Sequence, residues 1–261
     1  MGQWLQGGNA MRIAVIWYPG TNCDEEAFRA IEAAGMKPEI VRWNTDVSGY
    51  DGYMIPGGWS YEDRIRAGVI AAKHPVMKTI KKEAEAGKPV LGICNGAQVL
   101  IETGLVPGLK DKVQMALAPN NDGYYCIWTN LLSTSKQGRC AYNKKLKQGD
   151  VIKAPIAHGE GRFTTRDAEL VKELEKNGQI IFKYCDADGK VTDEANPNGA
   201  IFNIAGICNP EGNVMAMMPH PERAAWYKNI PYHEGKSFEE NEKTTLSNAV
   251  FESMKEFING N

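Results

Sequence analysis

The chain has 261 residues, 43% hydrophobic and 24% charged, and its 30 basic and 32 acidic residues give a formal net charge of −2. That length suits one large α/β domain, or at most two small ones, with enough chain to bury a substantial core. The composition excludes a broad basic field for nucleic acid and an acidic solvating tail, and the longest apolar runs are too short to span a bilayer.

Residues 1–10 have no period and carry three glycines. They lack the positive region and apolar core of a signal peptide. They read as an extension, with a single domain over 11–261. Residues 13–17 form a continuous apolar strand, of the kind buried on both faces of a parallel sheet. Pro19-Gly20 breaks it. Thr21 and Asn22 can cap a helix predicted over 24–34, and Gly35 ends that helix. Residues 39–43 and 52–55 read as the second and third strands, the latter closed by Pro56-Gly57-Gly58. Pro75 opens a helix reaching Gly87. Residues 89–93 are a fourth strand and 96–103 a further helix. This alternation predicts an α/β fold with right-handed crossovers, a doubly wound, mostly parallel sheet flanked by helices.

The middle of the chain is less regular. Residues 124–132 look like a strand and 137–150 like a polar excursion. Residues 199–207 and 214–218 read as an added antiparallel hairpin across the turn at 209–213, and 244–258 as a terminal amphipathic helix. Six cysteines, at 23, 94, 126, 140, 185 and 208, form no C-x-x-C pair. They suggest reduced thiols in the cytoplasm and no zinc site. All but Cys94 read as small apolar side chains in or near the core.

Cys94 differs by context. Gly92-Ile93-Cys94-Asn95-Gly96 sits between a strand and a helix, the cysteine form of a nucleophile elbow. A nucleophile at such a corner needs a sharp, strained turn. Strand and helix pass closely, and Gly92 and Gly96 remove side chains that would clash. The helix start favours a thiolate, and the Asn95 N–H can face an oxyanion.

A thiolate also needs a proton donor for its leaving group. Of the four histidines, His74 and His233 read as surface residues. His220 follows a strand in Met218-Pro219-His220-Pro221-Glu222, where Glu222, two residues on in extended chain, can orient the ring. Gly57-Gly58, at the end of the third strand, can offer a second oxyanion N–H where α/β ligand sites gather.

Together these segments resemble the class I, triad-type glutamine amidotransferases. Within that family they are most similar to the glutaminase subunits of phosphoribosylformylglycinamidine synthases, of purine biosynthesis. The resemblance is carried by Pro19-Gly20-Thr21-Asn22-Cys23-Asp24, by Ser60-Tyr61-Glu62-Asp63 after Pro56-Gly57-Gly58-Trp59, and by Arg66-Ala67-Gly68. It continues through the elbow to Ala157-His158-Gly159-Glu160-Gly161-Arg162-Phe163 and Met217 to Arg223. Glu62 stands where a glycine is usual, and Arg64 where an aromatic is common.

The resemblance implies a flavodoxin-like fold and a Cys94–His220–Glu222 triad that hydrolyses glutamine to glutamate and ammonia. Gly58 and Asn95 would form the oxyanion hole. Gln98 and His158 are candidates for holding the amino-acid end of glutamine, and Glu160 and Arg162 for partner contacts. No metal or cofactor is expected on the chain, which has no G-x-x-x-x-G-K-[ST] loop. Gly235-Lys236-Ser237 ends like one, but Ile230 stands in place of its first glycine. ATP and Mg²⁺ are therefore expected on a large synthetase subunit, joined by a small bridging subunit. Rival readings are a glutaminase feeding a different synthetase, a related elbow-cysteine hydrolase, and a glutamine-sensing subunit with a spent triad.

Overall fold

Residues 10–231 and 237–260 are described by a computed structural model of the chain. The expected extension lies outside the described residues except for Ala10, as do His233 and the Gly235-Lys236 fragment. In chain order the elements begin with β1 (Arg12–Trp17), α1 (Asp24–Ala33), β2 (Lys37–Arg42), β3 (Gly52–Ile55), α2 (Val69–Ala72), α3 (Pro75–Glu85), β4 (Val90–Ile93) and α4 (Asn95–Thr103). They continue with β5 (Ala116–Ala118), β6 (Tyr125–Ser133), β7 (Val151–His158), β8 (Arg162–Thr164), α5 (Ala168–Lys176) and β9 (Ile180–Cys185). The last are β10 (Ile204–Cys208), β11 (Val214–Met217), α6 (Phe238–Asn241) and α7 (Ala249–Asn259).

One nine-stranded sheet runs β2-β1-β3-β4-β11-β10-β9-β6-β7, and β5 pairs separately with β8. The pairings from β2 to β11 are parallel, and those from β11 through β7 antiparallel. The expected β10–β11 hairpin is therefore no appendage. Its second strand lies beside β4, with Met217 opposite Ile93, and it joins the two halves of the sheet. Apolar runs such as Ile13–Ile16 and β11 are wholly buried, as strands covered on both faces require.

Several local expectations change. Neither Thr21 nor Asn22 caps α1: Cys23 holds the N-cap position, and the Thr21 hydroxyl accepts from the Tyr18 N–H instead. The stretch 137–150 is turn-rich but not simply polar. Cys140, Ala141, Tyr142 and Leu146 are buried, and Tyr142 donates to the carbonyl of Asn213. His74 is half-buried, its ring edge-on to Trp43 at 4.4 Å. Among the cysteines read as core, Cys126 is exposed on β6.

The sequence reading missed β7 and β9, which complete the antiparallel half. Pro155 obscured β7. The strand tolerates a proline because it forms the sheet edge. α5 was also missed, although Asp167 caps it through the N–H groups of Glu169 and Leu170. No helix among the described residues is long and apolar enough to cross a membrane.

Candidate active site

The parallel register brings the carboxyl ends of β3, β4 and β11 together. Ile55 lies opposite Gly92, and Ala216 opposite the same glycine from the other side. The loops that leave these strands therefore meet at one edge, where α/β sheets collect their ligands.

Cys94 forms the corner between β4 and α4. Its φ of +53° and ψ of −109° lie outside the common regions, a strained turn for a non-glycine residue. The turn is pinned because the Cys94 N–H donates to the carbonyl of Met217 at 2.9 Å. The two glycines are needed, for different reasons. A Cβ on Gly92 would meet the Gly96 carbonyl at 2.5 Å, as the elbow argument expects. A Cβ on Gly96 would instead overlap the carbonyl of Ile55 on the neighbouring strand β3. Cys94 is only 5% exposed, and its sulfur lies 3.8 Å from the carbonyl of Ala157.

His220 is fixed by its own N–H, which donates to Pro155 of β7 at 2.8 Å. Its Nδ1 lies 2.5 Å from Oε1 of Glu222, and both side chains are almost fully buried. The pair meets through a tight turn over Pro221–Ala224 rather than through extended chain. Nε2 of His220 and Oε2 of Glu222 are buried with no hydrogen-bond partner. Burial works against a charge on His220. The facing Glu222, Cys94 and Cys23 outweigh it and hold the pKa well above the ordinary histidine value.

Gly57 lies at the centre of this group. A Cβ there would meet Cε1 of His220 at 2.7 Å, Sγ of Cys23 at 3.1 Å and Cβ of Cys94 at 3.3 Å. The nucleophile candidate, the imidazole and a second thiol thus all pack on one bare backbone unit. Gly58, next in chain, has φ +155° and bridges to Thr21. No backbone acceptor among the described residues takes its N–H. Asn95 begins α4, so its N–H is one of those a helix start leaves open. Its side chain links the two loops: Oδ1 accepts from Ser60 N–H at 3.1 Å, and Nδ2 donates to Asp63 at 3.2 Å.

The other two expected residues differ in freedom. The amide of Gln98 is engaged at both ends, accepting from Asn95 at 2.8 Å and donating to the carbonyl of Glu160 at 2.6 Å. It ties the Gly159–Arg162 turn to α4. His158 is buried, with its Nδ1 3.2 Å from the Asn120 amide and its Nε2 unpartnered. Burial, then the nearby His220, push its pKa down to about 3, so it is neutral. Gly161 has no room for a Cβ against that ring. Burial, joined by the nearby Glu160, raises the pKa of Asp63 to about 6, with Asn95 opposing.

The sequence reading assigned no role to two neighbours of the triad candidates. Cys23, 2% exposed, accepts from the Arg223 guanidinium at 3.1 Å. Tyr124 stacks on Trp59 with ring centroids 6.0 Å apart, and it lies near Cys94 and His220. Donor atoms of Cys23, His220 and Glu222 lie within 4.8 Å of one another, near enough to gather a metal ion. Arg223 beside the sulfur opposes a cation there.

Residues 10–258 match the family described as the CobB/CobQ-like glutamine amidotransferase domain. The chain is 45% identical to the phosphoribosylformylglycinamidine synthase subunit PurQ of Methanothrix thermoacetophila, over 95% of this chain and 98% of that protein. It is 43% identical to the subunit of the same name from Methanosarcina mazei, over 96% and 100%. Among solved structures, a chain of PurLQS from Thermotoga maritima is 33% identical with a TM-score of 0.74, covering 96% of this chain and all of the other.

Proposed function

The chain belongs to the CobB/CobQ-like glutamine amidotransferase family, and from that membership we propose that it is the glutaminase subunit of a phosphoribosylformylglycinamidine synthase. In purine biosynthesis such a subunit supplies ammonia for ATP-dependent conversion of formylglycinamide ribonucleotide to formylglycinamidine ribonucleotide. The reading of the substrate rests on relatives of 43–45% identity over almost the whole chain. The reading of the chemistry rests on one observation: an elbow cysteine at the strand edge that also holds a buried His220–Glu222 pair.

In the proposed reaction, the Cys94 sulfur attacks the carboxamide carbon of glutamine as its proton passes to His220. The N–H groups of Gly58 and Asn95 take the oxyanion; losing one such donor costs on the order of 10²–10³ in rate in other enzymes. The C–N bond breaks as His220, held by Glu222, gives its proton to the departing ammonia. His220 then takes a proton from water, which attacks the thioester carbon. The C–S bond then breaks, glutamate leaves, and His220 returns that proton to the sulfur, restoring the thiol. His158, neutral with a free Nε2, suits a polar contact to the substrate. Gln98 serves by positioning the Glu160 turn.

ATP and Mg²⁺ belong, in this reading, to a large synthetase subunit, with a small bridging subunit completing the complex. The structural neighbour is itself part of PurLQS. Residues 11–261 act as one domain, in the cytoplasm, where the free thiols stay reduced.

The test is Cys94→Ala in the assembled complex. Glutamine-dependent synthesis is lost, while synthesis from added ammonia persists. Retained use of glutamine would remove Cys94 from the mechanism.

A further inference from the structure

Cys23 has no part in a cysteine–histidine–glutamate triad, yet its sulfur sits inside that group. Three observations place it there. Cys23 Sγ and Cys94 Cβ lie on the same face of Gly57 as the His220 ring, 3.1 and 3.3 Å from the point where a side chain would begin. Sγ of Cys23 is within 4.8 Å of donor atoms of both His220 and Glu222. Arg223, on the turn that carries Glu222, donates to that sulfur at 3.1 Å. The sulfur is therefore held by a guanidinium and lies close to the imidazole.

We propose that Cys23 is a positioning residue for His220: held in place by Arg223, its sulfur forms a buried seat that fixes the ring where it protonates the leaving ammonia. The proposal rests on the triad reading.

The surroundings decide the sign. His220 is faced by Glu222 and Arg223 from its own turn, Cys94 from the elbow, Cys23 from the start of α1, His158 from β7 and Tyr124 from the approach to β6. Cys23 acts in the same direction as Glu222 and Cys94, favouring the charged ring, whereas burial and the neighbouring positive guanidinium of Arg223 act against it. Removing the sulfur leaves an imidazolium that gives up its proton at lower pH. Any rate limb that needs the protonated ring then moves to lower pH.

The experiment measures glutaminase activity against pH in the assembled complex for wild type, Cys23→Ala, Cys23→Val, Cys23→Ser and Cys94→Ala. Cys23→Ala is expected to lower kcat about tenfold with little change in KM, a smaller loss than removing an acid–base group outright. The alkaline limb of kcat/KM moves to lower pH. Cys23→Val, which fills the space without a hydrogen-bonding atom, moves it the same way even if the alanine variant is unstable. Cys23→Ser returns both kcat and the limb toward wild type. Profiles of Cys23→Ala and Cys23→Val that superimpose on wild type overturn the proposal. Glutaminase activity in Cys94→Ala defeats the triad reading instead, so the two failures are distinguishable.

Discussion

Oε1 of Glu222 lies 2.5 Å from Nδ1 of His220, in a site where neither side chain meets solvent. A buried carboxylate in that position orients the ring and stabilises its charged form. Glu222→Gln should keep the shape and remove the charge. Glutaminase kcat is expected to fall by roughly 10²–10⁴. Because Glu222 helps hold the His220 pKa above its ordinary value, the alkaline limb of activity moves to lower pH. Stability follows the same sign. His220's contribution is fully present below its unfolded pKa and is lost as pH rises through the higher folded one. Urea midpoints across pH 6–9 should therefore slope less in the variant.

Gly96 abuts the backbone of β3, which cannot move aside as a flexible side chain could. Gly96→Ala should cost about 3 kcal/mol or more and displace the elbow. Urea unfolding and glutaminase assays check both effects. Wild-type stability in this variant would show that β3 and α4 are not locked together there.

Asp63 has its pKa raised to about 6 by burial and Glu160. Between its unfolded value and about 6 the folded chain binds more protons. Its contribution to stability is therefore greatest at low pH and falls as pH rises through that window. Asp63→Asn should flatten this dependence and stabilise the neutral-pH protein by about 1 kcal/mol, after discounting for partial exposure. Melting temperatures from pH 4 to 7 test it; an unchanged slope would mean that solvent reaches the carboxylate freely.

Tyr61, Glu62 and Asp63 take successive left-handed conformations, with φ of +55°, +61° and +50°. A glycine at position 62 would take that geometry without a strained Cβ. The Glu62–Arg64 ion pair is solvent-exposed and contributes little. Glu62→Gly should therefore be neutral or stabilising by up to about 1 kcal/mol, the relief of a strained Cβ set against added chain entropy. Denaturant melts decide it, and a clear loss of stability would show that the side chain has contacts beyond Arg64.

The sequence carried the parallel half of the sheet because its strands, buried on both faces, read as unbroken apolar runs between glycine and proline punctuation. The elbow was legible for the same reason: Gly92 and Gly96 are local marks of a close approach. The antiparallel half was weaker in the sequence. Pro155 interrupts β7, and nothing local says that this strand lies at an edge.

By itself the sequence determined the fold class, the nucleophile candidate and its histidine and glutamate, since each sits in a short segment whose residue types restrict the backbone. Only the tertiary structure decided which strand Gly96 faces, that Gln98 is already engaged, and that Cys23 packs against His220. Those relations join residues dozens to nearly two hundred positions apart. They are set by strand order and register, which bring β1, β3, β4 and β11 to one edge, and no local pattern of residues encodes that distance.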